Sequence, residues 1–175
     1  MSDYFPPSSS VTLSNTVVSE RTTGLAAIAG VSGSVSRADH SHGTQLTPTA
    51  NVQSVQGTTT SAAYTATLAG STAASLAVVV PASGAVLVIF SVDLLNTTAG
   101  NKAFASVACS GTDAVAASDA WAKISNSGAA NDDRGTSVHL FTGLTPGATD
   151  TFTLQFKAAA GTTQVNSQEL IAIPL

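Results

Sequence analysis

His40 and His42 are separated by a single residue, a spacing that in extended backbone puts both side chains on one face roughly 7 Å apart. Neutral imidazole is a ready transition-metal ligand, so the pair can address one ion. Two ligands do not complete a site: zinc is usually held by four and octahedral ions by six. The third histidine, His139, lies about a hundred residues further on, between Val138 and Leu140. In a strand it faces away from those two neighbours, which predicts a place on the sheet surface or at an interface. Symmetry is the simplest supplier of the missing ligands, because three copies round a threefold axis bring six imidazoles together. The spacing therefore points to a homotrimer, with a solvated loop as the alternative that spacing alone leaves open.

The elements that must position the pair follow from composition. Residues 1 to about 57 carry few large apolar side chains, among them Tyr4, Phe5, Leu13, Val17, Leu25 and Ile28, set among Ser, Thr, Gly and Pro. Such a segment cannot bury enough surface to offset the entropy of ordering itself. It is expected to be an extended N-terminal attachment arm, 1–57, that fastens to another protein. From Thr58 onward short apolar runs alternate with turn residues, the signature of an antiparallel sandwich or barrel. The fold class expected is all-β, a jelly-roll-like antiparallel β-sandwich over 58–175 preceded by the arm.

Strands are expected near 62–68, 75–80, 85–95, 102–109, 120–125, 136–142, 150–158 and 168–173. In the third, Val86, Val88, Phe90, Val92 and Leu94 share one face while Leu87 and Ile89 make the other apolar too, so burial on both faces is predicted where it begins. In the seventh, Phe152, Leu154 and Phe156 point inward and Thr151, Thr153, Gln155 and Lys157 outward, a half-buried strand. Pro81 to Gly84, Asn96 to Asn101 and Thr145-Pro146-Gly147 carry the residues that chain reversals need. A core of this size needs no metal, cofactor or disulfide to fold.

Charged residues make up only 9% of the chain, so the surface is neutral and rich in hydroxyls. The net charge is -4 and the six cations are scattered, which gives no footprint for nucleic acid. Cys109 is the only cysteine; it cannot form an intrachain disulfide and is expected to be a small buried hydrophobe. The first residues lack the basic and apolar regions of a secretory signal, which predicts synthesis in the cytoplasm. The apolar stretches 76–80 and 85–90 are broken by Pro81 and Gly84 and fall short of a membrane span.

Between Ser110 and Gly135 lies an irregular stretch holding Trp121 and the run Asn131-Asp132-Asp133-Arg134. The indole is read as a core or interface anchor rather than an exposed platform for a sugar, and the polar run as a solvated loop tip. No catalytic constellation assembles. The two glutamates, Glu20 and Glu169, are far apart, and glycoside cleavage needs a positioned carboxylate pair. The chain is expected not to be an enzyme.

The segment Val35-Ser36-Arg37-Ala38-Asp39-His40-Ser41-His42-Gly43 resembles the Ser-Arg-Ala-Asp-His-x-His-Gly/Pro element of many bacteriophage tail-fibre and other appendage proteins. The run from Phe141 to Gly147, with Phe152 to Phe156 and Ile171 to Leu175, also looks like the end of small phage β-sandwich domains. The resemblance implies a virion protein and a homotrimer in which, as in some trimeric phage fibres, His-x-His pairs enclose an iron or zinc ion on the axis. Only His40 and His42 carry that role here. Arg37 and Asp39 match the element and would orient the rings or bridge subunits, and Trp121 is a further candidate for subunit or partner contacts. The long repetitive shaft of fibres is missing, which favours a compact trimer: a capsid decoration or short head fibre docked through its arm on the major capsid or another virion protein. The alternative is a tail-fibre or receptor-binding accessory protein that recognises host-surface carbohydrate.

Overall fold

The computed structural model describes residues 46–126 and 133–175. Arg37, Asp39, His40, His42 and the rest of the arm up to residue 45 lie outside them, as do Asn131 and Asp132. The described elements are β1 (Thr49–Gln53), β2 (Gly57–Thr59), β3 (Thr67–Leu68), β4 (Ser71–Thr72), β5 (Ser75–Val79), β6 (Val86–Asn96), β7 (Ala103–Gly111), β8 (Lys123–Ser125), β9 (Asp133–Phe141), β10 (Thr149–Ala158) and β11 (Thr163–Pro174), with one 3-10 turn at Asp119–Trp121. No helix among them is long and apolar enough to cross a membrane.

The strands form two antiparallel sheets with one core between them. The first runs β1-β11-β6-β9, with β2 also paired to β11; the second runs β5-β10-β7-β8; β3 and β4 make a small separate hairpin. Alternation along the strands builds the core as the sequence predicts. Val86, Val88, Phe90, Val92 and Leu94 from β6 meet Phe152, Leu154 and Phe156 from β10, and Ala103, Ala105 and Val107 of β7 are also fully enclosed. Cys109 is buried among them.

Two predicted turns lock against each other. Gly84 and Gly147 adopt positive φ of 67° and 79°, conformations open to glycine because it lacks a Cβ. The Leu144 amide then donates to Gly84 O at 3.0 Å and the Gly147 amide to Val80 O at 2.9 Å.

Four expectations need correction. The sheet starts earlier than residue 58: Thr49–Gln53 pairs with Ala172–Gln168 along its whole length and Gly57 opposes Val165, so Thr49–Gln53 and Gly57 are strand residues of the sandwich, where the arm was expected to reach residue 57. The strand expected at 62–68 shrinks to its last two residues, because hydroxyls there bond the local backbone instead of leaving it to a ladder. Ser61 Oγ donates to Ala63 O at 2.6 Å, and the Thr67 amide donates to Thr65 Oγ1 at 3.0 Å. The strand expected at 120–125 begins as a 3-10 turn, capped where Ser118 accepts the Ala120 amide at 3.2 Å. Asp133 and Arg134, expected at a loop tip, open β9 opposite Leu94 and Asp93.

The outer face of β6 departs from expectation. Leu87 and Ile89 are only half-buried, because nothing among the described residues covers that side of the sheet.

Candidate functional site

Trp121 stands where the two sheets come together at their edges. The 3-10 turn lifts it between β7 and β9. Its ring stacks on His139 with centroids 3.9 Å apart and planes 10° from parallel, and His139 in turn meets the edge of Phe141 at 4.6 Å. The indole Nε1 donates to Val107 O at 3.2 Å, and Ser137 Oγ donates to Trp121 O at 2.7 Å. One aromatic face and the polar handle are thus used internally, so Trp121 is packed against the core as an anchor. His139 is the correction on this strand: β9 alternates so that Ser137, His139 and Phe141 turn inward while Val138 and Leu140 are outside.

Burial holds the His139 imidazole below its usual range. The folded state therefore favours the neutral ring. Its contribution is present above about pH 6.5, the unfolded value, and is lost as pH falls through the lower folded value. Chemical denaturation between pH 7 and pH 5 is expected to show this loss, with Trp121 emission as the probe. That window lies above the carboxylates, whose ordinary value is 3.8 and which are lowered further at Asp113 and Asp119. His139→Phe keeps a ring in the stack and should flatten the profile; an unchanged slope would assign it to another group.

The second sheet carries a polar cluster on its outer face. Thr65 bridges Phe156 and Lys157 opposes Phe104, so Tyr64, Lys157 and Phe104 fall in one row across the sheet. The Lys157 ammonium lies 4.7 Å from the Tyr64 ring centre and 4.5 Å from that of Phe104, a geometry in which each ring face attracts the cation. Asp119 closes the cluster, accepting from Lys157 at 2.8 Å and from the Tyr64 hydroxyl at 2.8 Å. The hydrogen bond from Lys157 and then that from Tyr64 hold the Asp119 carboxyl below its usual range. Burial, and then the Asp119 carboxylate, push the Tyr64 phenol well above its ordinary value.

Beside this cluster the chain between β7 and the 3-10 turn walls a groove of about 540 Å³ over the β7 and β10 surface. Its floor is mixed, with Ala66, Ala108 and Cys109 beside Ser110, Thr153 and Gln155, and its wall of Ala114, Val115 and Ala116 is apolar. The wall is tied down at its base: Val115 exchanges both backbone hydrogen bonds with Cys109 at 2.9 and 3.0 Å, and Asp113 accepts the Thr145 amide at 2.6 Å and its hydroxyl at 3.1 Å. Burial, then the charges of Asp150 and Asp113, push the Cys109 thiol up to about 12, so it stays a protonated, unreactive group. The groove thus offers two hydroxyls and one carboxamide, of Ser110, Thr153 and Gln155, within a mainly apolar surface.

No residue signal announces this cluster in the chain, because its members are 38 and 55 positions from Asp119. His40, His42, Arg37 and Asp39 fall outside the described residues, among which no group of three or more His, Cys, Asp or Glu side chains could hold a metal. No known protein-family model and no curated protein matches the chain.

Proposed function

We propose that this is a bacteriophage structural protein, a homotrimeric capsid decoration or short head fibre that docks on the particle through its N-terminal arm. The observation that carries the reading is strand order. The eight main strands are β1, β5, β6, β7, β8, β9, β10 and β11. In that sequence the two sheets take the first, eighth, third and sixth, and the second, seventh, fourth and fifth. That order fits the two nested Greek keys of a jelly roll, an architecture frequent in viral capsid and lectin domains. Fold alone does not select a function; the nine-residue element around His40 and His42 supplies the remainder. In this reading the histidine pairs of three copies hold an iron or zinc ion on the axis, Arg37 and Asp39 orient the rings, and the chain has a binding role rather than a catalytic one.

Labelling the protein on intact particles tests its place. Label over the head facets is the expected result; label confined to the tail tip would replace the proposal by a receptor-binding accessory protein, a second reading that the groove on the β7 and β10 surface favours through its Ser110, Thr153 and Gln155 side chains. Native mass spectrometry of the full chain is expected to give three times 17.3 kDa plus one metal ion, and a bare monomer would remove the trimer.

A further inference from the structure

Strand β10 carries a carboxyl group where the core begins. Asp150 belongs to the inward set of that strand with Phe152, Leu154 and Phe156, and it is fully buried. Its Oδ1 accepts the Asp113 amide at 3.1 Å, while its Oδ2 has no hydrogen-bond partner among the described residues. A bare buried oxygen of this kind is costly, and buried charges in proteins are paired or bound to metal ions. Its neighbour is a second carboxyl group. Asp113 comes within hydrogen-bonding reach of the Asp150 side chain and also accepts the Thr145 amide at 2.6 Å and its hydroxyl at 3.1 Å. The Thr145 amide chiefly holds the Asp113 carboxyl below its usual range, so it is charged at neutral pH. Among the described residues no cationic side chain pairs with either group; Lys123 is engaged by Asp133 and Lys157 by Asp119. The backbone is shaped around the pair. Gly111, opposite Asp150 in the β7 and β10 ladder, has a φ of 131°, and a Cβ there would stand 2.7 Å from Asp150 Oδ1 and 2.9 Å from Thr149 O. Only glycine leaves those oxygens their space.

We propose that Asp113 and Asp150 form a calcium site that fastens the chain after β7 to the turn before β10. All its members come from one chain, so it stands apart from subunit number and from the phage reading. The donors are hard oxygens, the kind calcium takes. Cys109, the other titratable group beside them, stays protonated and turns its thiol to Asp113 O at 3.7 Å, so it is no ligand. Two oxygens that are neighbours in a calcium shell, each 2.3–2.6 Å from the ion, stand about 3 Å apart. That matches carboxyl groups already within hydrogen-bonding reach of each other. Calcium accepts about six to eight oxygens in irregular geometry and takes water where the protein supplies none, and Asp113 is partly open to solvent. With two carboxylates the affinity is expected to be weak, a Kd of about 0.1–1 mM. The ion would anchor the base of the loop whose Ala114, Val115 and Ala116 wall the groove.

The test adds calcium chloride to the full chain after treatment with a chelator and follows denaturant unfolding by Trp121 emission. Calcium at ten times its Kd should favour the folded state about tenfold, and sodium chloride of equal ionic strength should not. Imidazole suits transition metals whereas calcium takes oxygen, so an ion held by histidines does not produce this response. Asp113→Asn and Asp150→Asn should each abolish the shift. Asp119→Asn, whose carboxyl serves Lys157 and Tyr64 instead, should keep it. Asp150 is buried and its variant can fail to fold, so Asp113→Asn, on the open side, decides the matter. Hydrogen exchange on the wild-type chain needs no variant: the Asp113 and Thr145 amides should gain protection with calcium, and unchanged protection would overturn the site. So would a wild-type midpoint that calcium does not move, or a shift that Asp113→Asn retains. A midpoint that follows pH through the carboxylate range but ignores calcium would also overturn it, and would give the pair a shared proton instead.

Discussion

Phe152→Ala is expected to cost about 3–5 kcal/mol, a large share of the roughly 5–15 kcal/mol that holds a domain folded. Phe152 is fully enclosed in β10, between β5 and β7 in its sheet. Its ring meets Phe141 of the opposite sheet with centroids 5.0 Å apart. Truncation removes the transfer energy of the ring and leaves a hole that paired strands on either side cannot close, because their ladders fix the backbone. Phe141 in turn supports His139 and Trp121, so the single tryptophan should report the change. Denaturant titration should show a lower midpoint at unchanged slope. A loss below about 1 kcal/mol would mean that the sheets can slide together and that the core is less rigid than its packing implies.

Gln168→Leu is expected to cost about 1–3 kcal/mol although it replaces a polar core residue by an apolar one of similar size. Gln168 is only 1% exposed. Its Oε1 accepts the Ala74 amide at 2.9 Å and its Nε2 donates to Thr72 O at 3.1 Å, which fastens the chain between β4 and β5 to the middle of β11. Leucine fills the space but strands the amide of a fully buried alanine, and an unsatisfied buried donor carries its whole desolvation cost. The loss should be local as well as global: amides of the β3 and β4 hairpin should exchange faster in the variant. Stability equal to wild type would show that water reaches Ala74 and that Gln168 is not the tie.

Asn96 illustrates the same device at the other end of the sandwich. Fully buried at the end of β6, it donates to Lys102 O at 3.1 Å and Ala160 O at 2.8 Å and accepts the Thr98 amide at 2.9 Å. One side chain thereby joins two loops, and its Asn-Thr-Thr setting in the sequence marks only a turn.

The period-two patterns of β6 and β10 determined by themselves that the chain is all-β and which side chains form its core, because an apolar residue at every second position has one way to leave water in a sheet. Pro81, Gly84, Pro146 and Gly147 likewise announced their reversals through backbone conformations that few residues share. The histidine spacing and the nine-residue element that holds it raise the expectation of a metal on a trimer axis without any fold, and they lie outside the described residues. Pairing partners were not legible. That Thr49–Gln53 joins β11, or that Tyr64, Lys157 and Asp119 converge, depends on contacts between segments far apart in the chain. The same holds for Gln168: the irregularity between Val165 and Ser167 shifts β11 by one residue, and a one-residue shift exchanges the inward and outward sets, so Val165 and Gln168 both turn inward. Tertiary structure alone also decided the fate of the second apolar stripe on β6. The alternation says that Leu87 and Ile89 must be covered, and only the assembled sheet reveals that Val138 and Leu140 lie open beside them and Ile171 and Ile173 half-buried, since side-by-side placement on one face is a property of register between strands and not of any strand by itself.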